Sequence, residues 1–260
     1  MLDATAFVGR WPFYSGACGD AAGLLAMMDK EGIEKALVSP LGSVFLKDPE
    51  EGNKELWREA EQGNDRLLAA PCVNPTYPGW RGALDRWAQR GAAAIRTHPN
   101  YHSYAANGAA MRALAAACGG RHLPLIVTMR LQDERQHHPA VRVPAVKAAE
   151  IAELARYCDE PTRLLVSFAR LGEILALQRL LQRARPLWYD VAGVQGPERM
   201  WEQLTNAQLG HRLVFGSGWP LQYESVATAK VAMMEMDTEL RGGLLSRNLL
   251  DLLQHPRCGE

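Results

Sequence analysis

Three arginines, two histidines and one aspartate stand where chemistry could be done. Arg96, His98 and His102 lie in the run IRTHPNYHSY, with Tyr101 and Tyr104 between and beside them. Arg130 follows the apolar run LPLIVTM, Arg170 follows LLVSFA, and Asp190 sits in LWYDVAG. Guanidinium forks suit carboxylates and phosphates bidentately, so Arg96, Arg130 and Arg170 are candidates for holding an anion. They could equally pair with protein carboxylates and only fix loops. A histidine that titrates near neutrality can act as general acid or base, which makes His98 and His102, with Asp190, the candidate proton carriers. The plainer role for each histidine is to order a turn by hydrogen bonding. Trp11 and Trp219 lie close to the ends of apolar runs and could wall a ligand pocket. His137 and His138 fall in the polar stretch RLQDERQHHPAVR, long for a connection, which makes residues 130–144 a candidate lid.

Each candidate lies in or shortly after a short apolar run, and that sets the frame needed to position it. The runs are Leu2–Val8, Ile33–Ser39, Leu67–Asn74, Ala92–His98, Leu123–Met129, Leu164–Ala169, Leu187–Val191 and Leu213–Ser217. Amphipathic stretches separate them, and a further one near 243–254 ends the chain. In the stretch GWRGALDRWAQRG, Trp80, Leu84 and Trp87 share one stripe and Gly91 stands at a C-cap position. Strands apolar along most of their length predict a parallel sheet covered by helices. An open doubly wound sheet would carry G-x-G-x-x-G after its first strand; here that turn reads GRWPFYSG. The pattern predicts an α/β chain forming a single (β/α)8 TIM barrel over 1–260, with an extra C-terminal helix. Barrel chemistry sits at the C-terminal strand ends, where these candidates cluster.

Composition narrows the partners. The 260 residues carry 29 Lys plus Arg and 29 Asp plus Glu, so the formal net charge is zero. That leaves no electrostatic footprint for nucleic acid or an anionic membrane. No run approaches about 20 apolar residues, the length of a membrane span. Five cysteines without a C-x-x-C pair read as reduced thiols, and with an N-terminus lacking a signal-peptide pattern they suggest a cytoplasmic protein. A homo-oligomer is left open.

In order, the strand ends read DATAFVG, VSP, CVNP, IRTHPNYH, IVTMR, SFAR, YDVAG and FGSGWP. This set resembles the amidohydrolase-related family, barrels that include decarboxylases and lactonases of small carboxylated substrates. The anchors are Asp3-Ala4 with Gly9, Arg96-Thr97-His98-Pro99, Pro124-Leu125-Ile126, Phe215-Gly216-Ser217 with Trp219-Pro220, and Asn248-Leu249 with Leu252. The resemblance implies the barrel fold and a Lys or Arg facing the pocket at Arg96. It also implies a metal whose ligands would fall at Thr5, Phe7, Thr128, Phe168 and Gly218. Phenyl rings and glycine offer no side-chain donor, and threonine is a poor one, so no metal or other cofactor is expected. Two readings follow: a metal-independent hydrolase or lyase acting on a small anionic molecule, or a catalytically inactive partner or ligand-binding subunit.

Overall fold

In a computed structural model, residues 1–13, 19–139, 141–181, 187–196 and 200–253 are described. Eight parallel strands alternate with helices. They are β1 (Leu2–Val8), β2 (Lys35–Pro40), β3 (Leu67–Ala69), β4 (Ile95–Thr97), β5 (Leu125–Thr128), β6 (Leu164–Ser167), β7 (Trp188–Asp190) and β8 (Leu213–Val214). The helices are α1 (Ala21–Glu31), α2 (Glu50–Glu61), α3 (Trp80–Gln89), α4 (Ala109–Gly119), α5 (Ala148–Tyr157), α6 (Leu171–Leu181), α7 (Met200–Asn206) and α8 (Glu224–Met233). Two short helices, α9 (Thr238–Gly242) and α10 (Asn248–Leu253), close the described chain.

The ladders run β1-β2-β3 and β4-β5-β6-β7-β8. Two seams join them. Ala93 donates to the Ala69 carbonyl and Arg96 to that of Pro71, linking β3 to β4. Ala4 donates to Phe215 and Gly218 to Thr5, linking β8 to β1. The sheet is therefore a closed barrel, and the open-sheet alternative is excluded.

Alternation sorts the side chains into layers. Leu125 and Val127 face outward to the helices, while Ile126 faces inward with Leu2, Ala4, Leu37, Ala70, Ala94, Leu165, Trp188 and Val214. Leu249 and Leu252 of α10 pack on this inner layer and plug the N-terminal end of the barrel. A register shift in β1 between Asp3 and Ala6 changes its parity, so Thr5 and Phe7 join the interior nearer the mouth. α3 ends as its sequence predicts. Gly91 is left-handed (φ +94°) and Ala92 donates back to the Trp87 carbonyl, the bond that terminates a helix on glycine.

Candidate anion site at the barrel mouth

Above the inner apolar layer the barrel interior turns polar. Arg96 rises from β4 and is fully buried. Its Nε donates to Ser39 Oγ at 2.7 Å, and one terminal nitrogen donates to Thr128 Oγ1 (3.2 Å) and Ser167 Oγ (3.0 Å). The guanidinium carbon lies 4.9 Å from the Phe7 ring centroid. Its other terminal nitrogen, Nη2, is buried with no partner among the described residues. Every oxygen that the guanidinium bonds among the described residues belongs to a neutral hydroxyl. Burial lowers its pKa to about 10, with Asp190, Cys72 and Asp3 pulling the other way through their charge.

Asp190 is the buried carboxylate that balances it. Its Oδ2 accepts from Thr5 Oγ1 at 2.6 Å, and Oδ1 accepts the backbone N–H groups of Phe168 and Ala192, each at 3.1 Å. Thr5 Oγ1 lies 3.5 Å from Ser167 Oγ, so a chain of hydroxyls runs from guanidinium to carboxylate without direct contact. Asp3 is a second buried carboxyl. Its Oδ1 accepts from Thr5 N and Ser217 N across the β1–β8 seam, and Oδ2 has no partner among the described residues. Burial raises its pKa.

His98, two residues beyond Arg96 on the same face, is fully buried, and neither ring nitrogen has a partner among the described residues. Burial holds its pKa well below the ordinary histidine value, and the neighbouring His102 and Arg96 push it the same way. The imidazole is therefore neutral at physiological pH, a hydrogen-bonding group inside the barrel rather than a titrating one at its rim. His102 stands at 6.1 Å ring separation. Its Nε2 lies 3.0 Å from the Ser43 carbonyl, which can only accept, so Nε2 carries the proton and Nδ1 is left as an acceptor. That contact ties the segment after β4 to the one after β2.

An apolar cap closes the mouth. Phe7, Trp11, Leu41, Val44, Leu131, Phe168 and Ala192 pack together, with Tyr101 and Leu221 against them. Phe168 holds a left-handed backbone (φ +57°), uncommon for an aromatic residue, which turns its ring to within 6.1 Å of Phe7. Outside the cap, Trp11 meets Phe13, Phe45 and Tyr101, and His138 stacks on Phe13 at 5.3 Å. Leu131 and His138 bring the connection after β5 over the mouth; residue 140 of that candidate lid lies outside the described residues.

The candidates thus divide. Arg96, His98, His102, Asp190 and Trp11 converge on the mouth. Arg130 instead forms a two-pronged ion pair with Glu173 and donates to the Phe168 carbonyl at 3.0 Å. Arg170 pairs with Asp133 at 3.1 Å. Both are thus paired with protein carboxylates. Trp219 packs in the outer strand–helix core, its backbone bonded to Phe7, so its ring is not part of the cap. Ser39, Ser167 and Asp3 belong to the interior network; the sequence marked Asp3 only as an anchor of the family resemblance and neither serine. The parity that selects Arg96 and Thr128 could have found Ser167, two residues beyond inward-facing Leu165.

Two surface clefts of about 290 and 330 Å³ lie elsewhere, at the helix and loop ends around Arg112 and Tyr157, and around His211 and Asn248. Their acidic groups are exposed, as is His211, so neither matches the concentration of buried unpartnered atoms at the mouth.

The positions where the resemblance places metal ligands do not fit a divalent ion. The Thr5 hydroxyl is spent on Asp190, Thr128 accepts from a guanidinium, and Phe7, Phe168 and Gly218 bring no donor. No group of three or more His, Cys, Asp or Glu side chains suited to a metal occurs among the described residues.

The Arg130–Glu173 pair makes a pH prediction. Burial raises the Glu173 pKa, but hydrogen bonds from Arg130 and the Arg170 backbone, with the charge of both arginines, outweigh it, and the net shift is downward. A lowered folded-state value means stability is fully present above the ordinary glutamate range, about 4.3, and lost as pH falls through the folded value. Glu173→Gln should flatten this acid limb and cost about 1–2 kcal/mol near neutrality, read by urea unfolding at pH 7 and pH 4.

No family model and no curated protein matches the sequence. Solved structures do. A probable 2-pyrone-4,6-dicarboxylic acid hydrolase from Acinetobacter baumannii, with citric acid bound, aligns at TM-score 0.70 and 13% identity, covering 97% of this chain and 98% of that one. The 2,6-dihydroxybenzoate decarboxylase from Rhizobium aligns at 0.70 and 15%, covering 97% and 98%. The 5-carboxyvanillate decarboxylase from Novosphingobium aromaticivorans, complexed with manganese and a nitrobenzoic acid, aligns at 0.71 and 15%, covering 97% and 95%. At such identities the likeness is one of fold. The chain shares with these structures the (β/α)8 fold.

Proposed function

We propose that the barrel mouth binds a small carboxylated or otherwise anionic molecule on Arg96 without a metal ion, and that any reaction there is hydrolase-like. One observation carries this reading: Arg96 Nη2 and both nitrogens of His98 are buried together with no protein partner among the described residues. Each such group costs about 1–3 kcal/mol when left unsatisfied, and an anion with a second polar group would satisfy them together. The neighbouring folds were solved with carboxylated ligands, which agrees with an anion as occupant. In this reading Arg96 supplies the fixed positive charge, strengthened by the dry wall of Phe7 and Phe168. Neutral His98 presents one donor and one acceptor, enough to polarise a carbonyl or take a proton from water. His102 and Asp190 hold the frame, one through Ser43 and the other through Thr5, Phe168 and Ala192.

A second reading, a barrel that binds but does not turn over its ligand, is favoured by the apolar cap over Arg96 and His98 and by the closed Arg130–Glu173 pair. A panel of lactones and esters of small carboxylic acids, offered to chelator-treated protein, separates the two. Under the first reading turnover survives the chelator, falls about 10²-fold or more in His98→Asn, and the melting temperature is unchanged by chelation. Binding without turnover supports the second. Activity or stability that disappears with the chelator contradicts both.

A further inference from the structure

Lys230 is a buried cation that the mouth chemistry does not use. It projects from α8, is 8% exposed, and donates to the carbonyls of Val191 (3.2 Å), Ala192 (3.4 Å) and Val194 (3.1 Å). Three carbonyls from four consecutive residues thus turn to one point, the arrangement a compact monovalent cation takes, and an ammonium fills it. Gln222 Nε2 adds a bond to the Ala192 carbonyl at 3.1 Å. The charge of Asp190 supports the ammonium against the burial that disfavours it.

What this cage touches gives it a consequence. Gly193 lies inside it, and a Cβ there would stand 2.5 Å from the Phe168 carbonyl carbon and 2.6 Å from its oxygen. The segment held by Lys230 is therefore pressed against the backbone of Phe168. Phe168 in turn keeps a left-handed conformation and forms the wall of the mouth beside Phe7. Bonds to Asp190 and Arg130 also hold the Phe168 N–H and carbonyl, and Gly193 closes on that same carbonyl group.

We propose that Lys230 is a positioning residue: its ammonium, caged by the carbonyls of residues 191, 192 and 194, sets through Gly193 where the Phe168 ring stands over the anion site. The role in ligand binding rests on the reading of the mouth given above; the placement of Phe168 does not. Labelling with 4-fluorophenylalanine gives five reporters, Phe7, Phe13, Phe45, Phe168 and Phe215, with Phe168→Leu assigning the one of interest. In Lys230→Ala the Phe168 fluorine resonance should shift, benzoate binding should weaken several-fold, and methylammonium at tens of millimolar should restore both. Tetramethylammonium, too large and without N–H donors, should restore neither. If the alanine variant does not fold, Lys230→Met fills the volume without the charge and should show the shifted resonance with no rescue. An unmoved Phe168 resonance in the folded variant, or equal rescue by both ammonium ions, would overturn the proposal. Failure of the wild-type protein to bind benzoate would count against the anion reading alone, since the fluorine shift is measured without ligand.

Discussion

Asp190→Ala should destabilise the protein by about 3–5 kcal/mol, the cost of uncompensating a buried charge. The carboxylate is fully buried and accepts from Thr5 Oγ1, Phe168 N and Ala192 N, so alanine leaves three buried donors unpaired at once. It also removes the negative charge that favours the ionised forms of Arg96 and Lys230. For a chain of this size the loss corresponds to a melting temperature lower by about 10 °C. Asp190→Asn loses the same charge but should cost less than alanine, since its amide oxygen can still receive both backbone N–H groups. Urea unfolding of the two variants checks the ordering. A cost below about 1 kcal/mol for alanine would mean that Asp190 does not organise the interior as described.

Gly193→Ala carries the second large effect. The added methyl carbon meets only backbone, the Phe168 carbonyl group and the Ala169 oxygen, all within 2.5–2.7 Å. No rotamer relieves that collision, so either the segment after β7 lifts or Phe168 leaves its left-handed conformation. Overpacking of this kind typically costs about 1–3 kcal/mol, and a rigid backbone obstacle places it at the upper end. The same substitution at Gly172, where a Cβ meets nothing within 4 Å, should fall near zero or stabilise the helix, which makes it the control. Equal melting temperatures for the two variants would show that the segment is not pressed against Phe168.

The fold was legible because two periodicities dominate it. Apolar runs of strand length alternate with amphipathic helices, and a parallel sheet buried on both faces leaves that signature along the whole chain. Inward parity likewise found Arg96, His98 and Thr128, since alternation is local to a strand. It could not tell which arginines would find a carboxylate, because the partners are remote. Glu173 lies 43 residues from Arg130, and Ser39 lies 57 from Arg96. Trp219 shows the same limit: its place next to a strand end is local, but whether its ring turns to the mouth or to the helices depends on the β1–β8 seam. Phe168 stands at the mouth with a positive φ that no propensity of phenylalanine predicts, its N–H bonded to Asp190 and its carbonyl close to Gly193 at the neighbouring strand end. The sequence left His98 as either a proton carrier or a turn-ordering residue; the complete burial that pushes its pKa well below the ordinary histidine value is a tertiary property no local pattern carries.

Calorimetric titration of chelator-treated protein with benzoate and with citrate, in the wild type and in Arg96→Met, tests the anion site most directly. Binding should be seen without added metal, and the substitution should weaken it by about 1.5–3 kcal/mol, the worth of a hydrogen bond to a charged group, or roughly 10- to 150-fold in Kd. Equal affinity in the folded variant, or binding that arises only when manganese is supplied, would contradict a mouth whose fixed cation is Arg96.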